Sequence, residues 1–369
     1  MKCPDRMSLS ALGLAVLGFA LTPSPAGAQA HFSPGVANIR DYSEPPPGLY
    51  LVVYNYGYQT DRLNDDDGNR VSSVTLGPSG GPNLTLGIDP DVNIYALAPT
   101  LIWVTRWKVL GANYGAFISP AFSNSSLSAA LFTEKGRGLN PAAGQFAPGD
   151  LYVMPVWLGW NRKHFDTAVG YGFYAPVGRY DTTTFNFPVI GQRTVADADN
   201  TGLGYWTNEL QGNVTWYPSP LRFLAITNTL TAEFNTRQRG FDVTQGNFLT
   251  WNWGASMYVP LAKKGTPPKY LLELGLAGYD QWQISDTTGS DARNGNLHQH
   301  VYAVGLQAGI TYAPKGIAVN FRYMDEYSAA NRFQGHSYGL NAIYTIKTKP
   351  PAPAPHPPAP RPASNPPGE

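Results

Sequence analysis

Few residues in this chain could take part in catalysis or metal binding, and their spacing does not bring them together on one face of a strand. A lipid hydrolase of the membrane would need a serine and a histidine on one face of a β-strand. His336 and Ser337 are adjacent, so on a strand their side chains point to opposite faces. We therefore predict no catalytic residues and no enzyme activity, with lipid hydrolysis a distant third among the functions considered.

The candidate metal ligands are no better placed. His298 and His300 have the i, i+2 spacing of a metal pair, but they fall at a junction between a loop and a strand. The run 65–69 (Asp-Asp-Asp-Gly-Asn) resembles a calcium-binding loop. With Gly68 at the obligatory glycine position, however, Leu63 and Val74 occupy the first and last ligand positions. We predict neither a metal site nor a cofactor.

The first 28 residues have the composition of a secretory signal peptide. Lys2 and Arg6 form a basic region, an apolar run extends from Ser8 to Leu21, and residues 26–28 (Ala-Gly-Ala) form a small-residue cleavage site. We therefore expect a mature chain that begins near Gln29 or His31.

The cysteine content argues against disulfide bonds in the mature protein, and the net charge argues against nucleic-acid binding. The one cysteine, Cys3, lies in the segment expected to be removed, so the mature protein would contain no thiol and no disulfide. Of 26 basic and 25 acidic residues, 24 of each remain once Lys2, Arg6 and Asp5 are gone. A formal charge of zero argues against nucleic acid as a partner.

Beyond residue 28 the chain contains no uninterrupted apolar stretch of about 18 residues, so it could span a membrane only as a closed barrel. Twelve segments of alternating polarity are joined by alternately long and short connections, as in outer-membrane barrels. The even number would leave both termini in the periplasm. The predicted strands are Leu49–Tyr58, Asn93–Arg106, Leu110–Ala121, Asp150–Trp160, Asp166–Pro176, Trp206–Tyr217, Leu221–Asn235, Phe248–Val259, Lys269–Trp282, His300–Ala313, Gly316–Tyr327 and His336–Lys347.

The alternation assigns side chains to the two faces of the predicted wall. In the strand from His300, Val304, Leu306 and Ile310 share one face with tyrosines at both ends, while Gln307 falls on the other. The candidates for the lipid-facing aromatic girdles are Tyr302, Tyr312, Tyr323 and Tyr270. The candidates for lining the lumen are Glu273, Asn320, Arg322, Glu326 and Glu233.

Two alternatives concern the fold class. A soluble β-sandwich would also alternate, but it explains neither the rhythm of the loops nor the aromatic ends of the strands. The stretches Arg70–Leu76 and Leu127–Phe132 could be two further strands, which would raise the count to fourteen. We predict an all-β, antiparallel transmembrane barrel of about twelve strands, formed by residues 48–347.

Two flanking segments lie outside the predicted wall. Residues 29–47, which end in three prolines, could either trail in the periplasm or enter the lumen as a plug. Residues 348–369 are rich in proline and alanine, so we expect an extended, disordered tail that could contact a periplasmic partner.

Several short motifs give the chain a resemblance to a known family. They are residues 149–151 (Gly-Asp-Leu), 173–181 (Phe-Tyr-Ala-Pro-Val-Gly-Arg-Tyr-Asp), 202–207 (Gly-Leu-Gly-Tyr-Trp-Thr), Gly278-Tyr279 and Asn331-Arg332 with Gly335. In order and spacing these motifs resemble the outer-membrane proteins named for the meta-cleavage pathway of phenol degradation, from about Pro47 to Ile346. The resemblance implies a barrel associated with the uptake of aromatic or other hydrophobic compounds, and it brings no catalytic residues.

Together these observations predict an outer-membrane channel of a Gram-negative bacterium that takes up small hydrophobic compounds, aromatic ones in particular, by diffusion. We expect a monomer whose partners are outer-membrane lipids and the transported solutes. The alternative is a structural or partner-binding barrel that does not transport.

Overall fold

A computed structural model describes residues 30–76, 84–132, 145–187, 191–197, 200–262, 266–292 and 295–348. The strands are β1 (Gly48–Thr60), β2 (Ser73–Leu76), β3 (Leu84–Val109), β4 (Ala112–Phe132), β5 (Ala147–Asn161), β6 (Phe165–Ala175), β7 (Thr182–Phe187), β8 (Gly191–Ala196), β9 (Thr207–Trp216), β10 (Leu224–Asn235), β11 (Phe248–Leu261), β12 (Tyr270–Gln283), β13 (His300–Tyr312), β14 (Ile317–Ala330) and β15 (His336–Thr348). Within these ranges no helix is long and apolar enough to cross a membrane.

Twelve of these strands, all except β2, β7 and β8, form a closed antiparallel barrel. The sheet closes because β1 pairs with β15 on one side and with β3 on the other. Closure gives every wall strand two neighbours, so no backbone edge is left unpaired towards lipid. The predicted twelve-strand barrel is confirmed.

The fourteen-strand alternative is wrong for a reason visible in the register. The stretch Arg70–Leu76 contributes only the short strand β2, and Leu127–Phe132 is the last part of β4. Both pair with the first residues of β3, up to Val92, which is opposite the last residue of β1, Thr60. They therefore extend the sheet beyond the barrel and add nothing to its circumference. The hairpin of β7 and β8 forms a separate two-stranded sheet.

The connections at the two ends of the barrel differ in length. At one end, called the short-turn end here, β3 and β4 are joined by Leu110 and Gly111, which both have positive φ (51° and 80°), as a type I′ turn requires. There β13 and β14 are joined by a 3₁₀ turn, Ala313–Lys315, that ends in left-handed Gly316. The opposite end carries the long connections, apart from the five residues 331–335 between β14 and β15, and is called the long-loop end.

Two of the long loops are fastened to each other. Asp242, between β10 and β11, accepts hydrogen bonds from the backbone N–H and the hydroxyl of Ser290, between β12 and β13. These bonds, together with the nearby Arg237 guanidinium, lower the pKa of the Asp242 carboxyl. The negative charge therefore holds the two loops together over this part of the long-loop end.

The two faces of the wall differ as the alternation predicts. In β13, Val301, Ala303 and Gln307 are buried, whereas Leu306 is 64% exposed. Tyr270 and Tyr312 stack with ring centroids 4.9 Å apart at the short-turn end, and Tyr302 lies near the long-loop end beside Trp282. Tyr323 faces outward but pairs with Leu306 near mid-strand. These four tyrosines remain candidates for contact with lipid.

We predict that Leu306→Arg destabilises the protein folded in phospholipid vesicles. The free energy of unfolding should fall by about 2–4 kcal/mol, the cost of a lipid-facing charge near the bilayer midplane. Ile317 lies on the same face of the wall, at the short-turn end. Ile317→Arg should therefore lower the free energy of unfolding by only about 0–1 kcal/mol. Both values can be measured by urea titration of the protein in vesicles. Equal losses at the two positions would contradict the assignment of this face to lipid.

Candidate functional site

The interior of the barrel contains residues 31–47, which we call the N-terminal plug. At the long-loop end, the His31 ring lies 2.9 Å from a carboxylate oxygen of Asp150 and 2.6 Å from the hydroxyl of Thr207. Near the short-turn end, the side-chain amide of Asn161 donates to the carbonyl of Glu44 at 3.1 Å. The plug therefore runs along the lumen from one end to the other and enters β1 at Gly48.

The plug is held mainly through polar contacts to wall strands that are distant in sequence. The Asn341 side-chain amide on β15 donates to the carbonyl of Val36 and to the side chain of Asn38, each at 3.0 Å. The Gln307 side chain on β13 accepts the backbone N–H of Ile39 at 3.0 Å. These bonds satisfy backbone groups that a plug without regular secondary structure would otherwise bury unpaired.

Arg40 fastens the plug to the neighbouring strands β11 and β12. Its guanidinium donates to the hydroxyl of Ser256 at 2.8 Å and to the carbonyl of Phe223 at 2.8 Å, and it lies 3.4 Å from Glu273. It also lies over the ring of Tyr258, 3.9 Å from the centroid. A buried carboxylate costs free energy unless a cation or several donors face it, and Arg40 supplies that partner to Glu273.

Three of the lumen candidates thus contact the plug. Glu273 pairs with Arg40, the Arg322 guanidinium donates to the carbonyl of Ala37, and Glu233 accepts the backbone N–H of Phe32 at 2.9 Å. Contact with a plug could not be read from the sequence, because the partners lie more than 200 residues away. A role of these side chains in passage stays a prediction.

The other two candidates are buried elsewhere on the inner face. Glu326 accepts hydrogen bonds from the hydroxyls of Tyr58 and Tyr279, at 2.8 and 2.9 Å, and lies 3.5 Å from Arg332. It therefore belongs to a network on the wall. Asn320 packs closely against β13, where a Cβ on Gly309 would lie 1.8 Å from its side-chain oxygen.

Glu44 lies in a niche that two wall glycines leave open. A Cβ on Gly159 would lie 2.3 Å from one carboxylate oxygen of Glu44 and 2.5 Å from its Cβ, and a Cβ on Gly115 would lie 2.9 Å from the other oxygen. Any larger residue at Gly159 would collide with the plug. The niche therefore depends on glycine because of a close approach.

A cavity of about 230 Å³ lies between the plug and the wall formed by β1, β3, β4, β5 and β6. More than half of the residues that line it are Phe, Tyr, Trp or Ala, and the others include Asp41, Asp150 and Gln211. The aromatic side chains that line it are Phe32, Tyr42, Tyr54, Tyr56, Phe117, Tyr152, Trp157 and Tyr174. An apolar cavity of about 150 Å³ is enough to bind benzene in a protein interior, so this one could hold a small aromatic molecule.

The wall beside the cavity has a gap in its hydrogen-bond ladder. Strands β3 and β4 pair at Leu97 and Phe122 and again at Leu101 and Ile118, with the same register and no pairing between. That register places Pro99 opposite Pro120, and neither proline can donate a backbone hydrogen bond. The neighbouring side chains Ala98, Thr100, Ser119 and Ala121 all line the cavity. The cavity therefore borders an interruption of the backbone ladder, which is spanned by a hydrogen bond between the hydroxyls of Thr100 and Ser119, 2.7 Å apart.

The residues considered for chemistry lie apart from the cavity. The His336 ring contacts Gln59 at 3.3 Å, whereas Ser337 is buried on the inner face. His298 lies 2.8 Å from Asp286, and the His300 ring stacks on Tyr302. In the described part of the chain, no three acidic, histidine or cysteine side chains come together as a metal site.

Comparison with known proteins agrees with this architecture. The family model described as "Putative MetA-pathway of phenol degradation" matches residues 60–342. The chain belongs to this family. No match is found among curated proteins.

Solved structures similar to this member of the family are outer-membrane barrels. The COG4313 outer membrane channel from Pseudomonas putida F1 is 15% identical, with a TM-score of 0.58 over 84% of this chain and 100% of that one. The β domain of the Bordetella autotransporter BrkA is 12% identical (TM-score 0.43, 81% and 100%). A Pseudomonas aeruginosa FadL homologue is 10% identical (TM-score 0.33, 92% and 98%). The first of these shows that the fold is that of an outer-membrane channel.

Sequence reasoning missed the plug side chains and some of the wall groups that face them. His31, Arg40 and Glu44 lie in a stretch without periodicity, so no pattern marked them. Glu209 and Asp150 lie at inward positions of predicted strands and could have been listed with the lumen candidates, because an acidic residue on the alternating polar face needs a partner inside.

We predict that Gly159→Ala displaces the short-turn end of the plug, because the new Cβ would overlap the Glu44 side chain. The displacement should increase the single-channel conductance of the protein in planar bilayers. It should also speed tryptic cleavage after Arg40. Gly212→Ala is the matched control, since a Cβ there meets nothing within 4 Å. Identical behaviour of the two variants would show that the niche does not hold the plug.

Proposed function

We propose that this protein takes up small hydrophobic molecules, aromatic ones in particular, by passive diffusion across the outer membrane of a Gram-negative bacterium. The observation that carries the proposal is the cavity of aromatic and alanine side chains between the plug and the wall. Its lining offers dispersion contacts and ring stacking, which suit neutral aromatic rings better than sugars or ions. The family, and the channel fold of the similar structure, support the same function.

In the proposed organisation, residues 1–28 belong to a signal peptide that is cleaved before Gln29 or His31. The wall comprises residues 48–347, and the tail from residue 348 lies in the periplasm, where it could meet a partner. Residues 1–29 and 349–369 lie outside the described part of the structure. The short-turn end faces the periplasm, as in barrels of this class. The protein acts as a monomer without a cofactor or enzyme activity, and its outward apolar face contacts lipid.

Two routes connect the cavity with its surroundings. A solute could pass along the lumen if the plug moves, or it could pass between β3 and β4 at the gap opposite Pro99 and Pro120. The gap favours transport over the alternative of a purely structural barrel, whereas the lumen filled by the plug favours the structural class. Movement of the plug and opening of the wall are separate events and can be blocked separately.

We predict that cells lacking this protein lose uptake of a labelled aromatic compound at low external concentration, while uptake of a small sugar is unchanged. Complementation with the wild-type chain should restore uptake, and Ala98→Phe should restore several-fold less because its ring fills the cavity. Leu101→Phe, on the outward face of the same strand, is the matched control and should restore uptake fully. Both strains must metabolise the compound equally. Unchanged aromatic uptake in the deletion strain would refute the transport proposal for this class of compound.

We predict that a disulfide across the β3–β4 gap, Ala98→Cys with Ala121→Cys, reduces aromatic uptake until a reductant is added. Opposite Cβ atoms in an antiparallel pair lie about 4.5–5.5 Å apart, near the range that a disulfide spans. The one native cysteine, Cys3, lies in the proposed signal peptide, so no other thiol would interfere.

A second disulfide separates the two routes. Ser43→Cys with Thr215→Cys would join the plug to β9, because the two hydroxyl oxygens lie 2.8 Å apart. Loss of uptake with this cross-link alone would assign passage to movement of the plug, and the four single-cysteine variants control for the substitutions. If both oxidised cross-linked proteins transport at the normal rate, passage through this lumen is refuted.

A further inference from the structure

Two buried carboxylates at the long-loop end of the lumen lack a positive partner among the described residues. Glu209 on β9 and Glu233 on β10 are directly opposite each other in the register, and both are 0% exposed. Glu209 accepts one hydrogen bond, from the hydroxyl of Tyr152 at 2.5 Å. In each carboxylate the second oxygen has no hydrogen-bond partner. The interior therefore holds two acidic groups with incomplete partners, which is costly in a space closed to water.

Three other buried carboxylates of the interior have a cationic partner. Glu273 faces Arg40, Glu326 faces Arg332, and Asp166 pairs with Arg222. Among the described residues, Glu209 and Glu233 have no such ion pair, and neither does Glu44 in its niche. Glu209 and Glu233 differ from Glu44 because they lie directly opposite each other. A single additional cation between them would complete the pattern.

The groups that already reach Glu233 belong to the start of the plug. The backbone N–H of Phe32 donates to its carboxylate at 2.9 Å, and the neighbouring N–H of His31 lies beside the same carboxylate. The His31 side chain is fixed by Asp150 and by stacking on Tyr174, with ring centroids 4.8 Å apart. The backbone nitrogen of His31 is thus held against the unmatched carboxylates.

The sequence contains a cleavage signal immediately before this nitrogen. Residues 26–28 (Ala-Gly-Ala) match the small-x-small pattern of signal peptidase, and so do residues 28–30 (Ala-Gln-Ala), which would place cleavage between Ala30 and His31. In that reaction the exporting cell's signal peptidase adds water across the peptide bond. The carbonyl of Ala30 takes the hydroxyl group, and the nitrogen of His31 takes hydrogen and becomes an α-amine, which is mostly protonated near pH 7.

We infer that the mature chain begins at His31 and that its α-ammonium group is the missing cation of the Glu209–Glu233 pair. An amide nitrogen offers one hydrogen to Glu233, whereas an ammonium group offers three hydrogens and a full positive charge. Those extra donors reach the oxygens that otherwise lack partners, and charge-assisted hydrogen bonds are the strong ones. Removal of the signal peptide therefore completes the attachment of the plug. The inference rests on the proposed export and is independent of what the channel transports.

Amine labelling of the native protein tests this inference. Wild-type protein, extracted from membranes in detergent, is treated briefly with an acetylating N-hydroxysuccinimide ester, then denatured and digested with trypsin. The N-terminal peptide should span residues 31–40. Its α-amine should be acetylated at least about tenfold more slowly than after denaturation, since buried charge-assisted bonds of this strength protect by such factors. A chain that begins at Gln29, or an α-amine that reacts equally fast in both states, would overturn the inference.

Variants provide an independent comparison. Glu233→Gln removes one negative charge with little change in shape, so acetylation of the α-amine should accelerate about tenfold. Glu326→Gln is the matched control, since that carboxylate is equally buried but pairs with Arg332, and protection should be unchanged. Equal protection in both variants would contradict the pairing. Aromatic uptake is measured separately in cells that express the same variants, so failure of the transport proposal and failure of this inference give different results.

Discussion

The wall of this barrel must turn a polar face inward, and the lumen is too narrow to hydrate all of the groups on that face. Charged side chains such as Glu273 and Arg322 are almost completely removed from solvent. In a space of low dielectric constant, each of these groups needs a partner of opposite charge or a set of hydrogen bonds. Most of the interior architecture, including the path of the N-terminal plug, follows from that requirement.

The plug meets this requirement with groups that a strand could not supply. It has no regular secondary structure, so its carbonyls and N–H groups are free to pair with the wall, as Ala37 does with Arg322 and Ile39 with Gln307. Its Arg40 side chain neutralises Glu273. The same contacts make the plug a structural part of the barrel. They also mean that any movement of the plug must exchange many polar contacts at once.

The distribution of polar and apolar groups across the lumen is uneven. Threonine and asparagine side chains of β9 and β10 bond to one another, as between Asn213 and Thr229, and Thr250 on β11 accepts from the side-chain amide of Gln281 on β12. Aromatic and alanine side chains of β1, β3, β4, β5 and β6 border the cavity. The plug separates these two regions. An apolar solute is therefore favoured only on the side where the β3–β4 ladder is interrupted, and the two features belong to one region of the molecule.

The sequence by itself determined the barrel and the face of each strand. Alternation is a local property, because neighbouring strand residues point to opposite sides whatever the partner strand is. It located all twelve wall strands to within a few residues for most of them, and it put Glu233 and Arg322 on the polar face. Only the tertiary structure decided where residues 31–47 lie, which strands border the cavity and that Glu44 needs glycine at position 159. These features depend on contacts between residues separated by one hundred to three hundred positions, and no local pattern records such contacts.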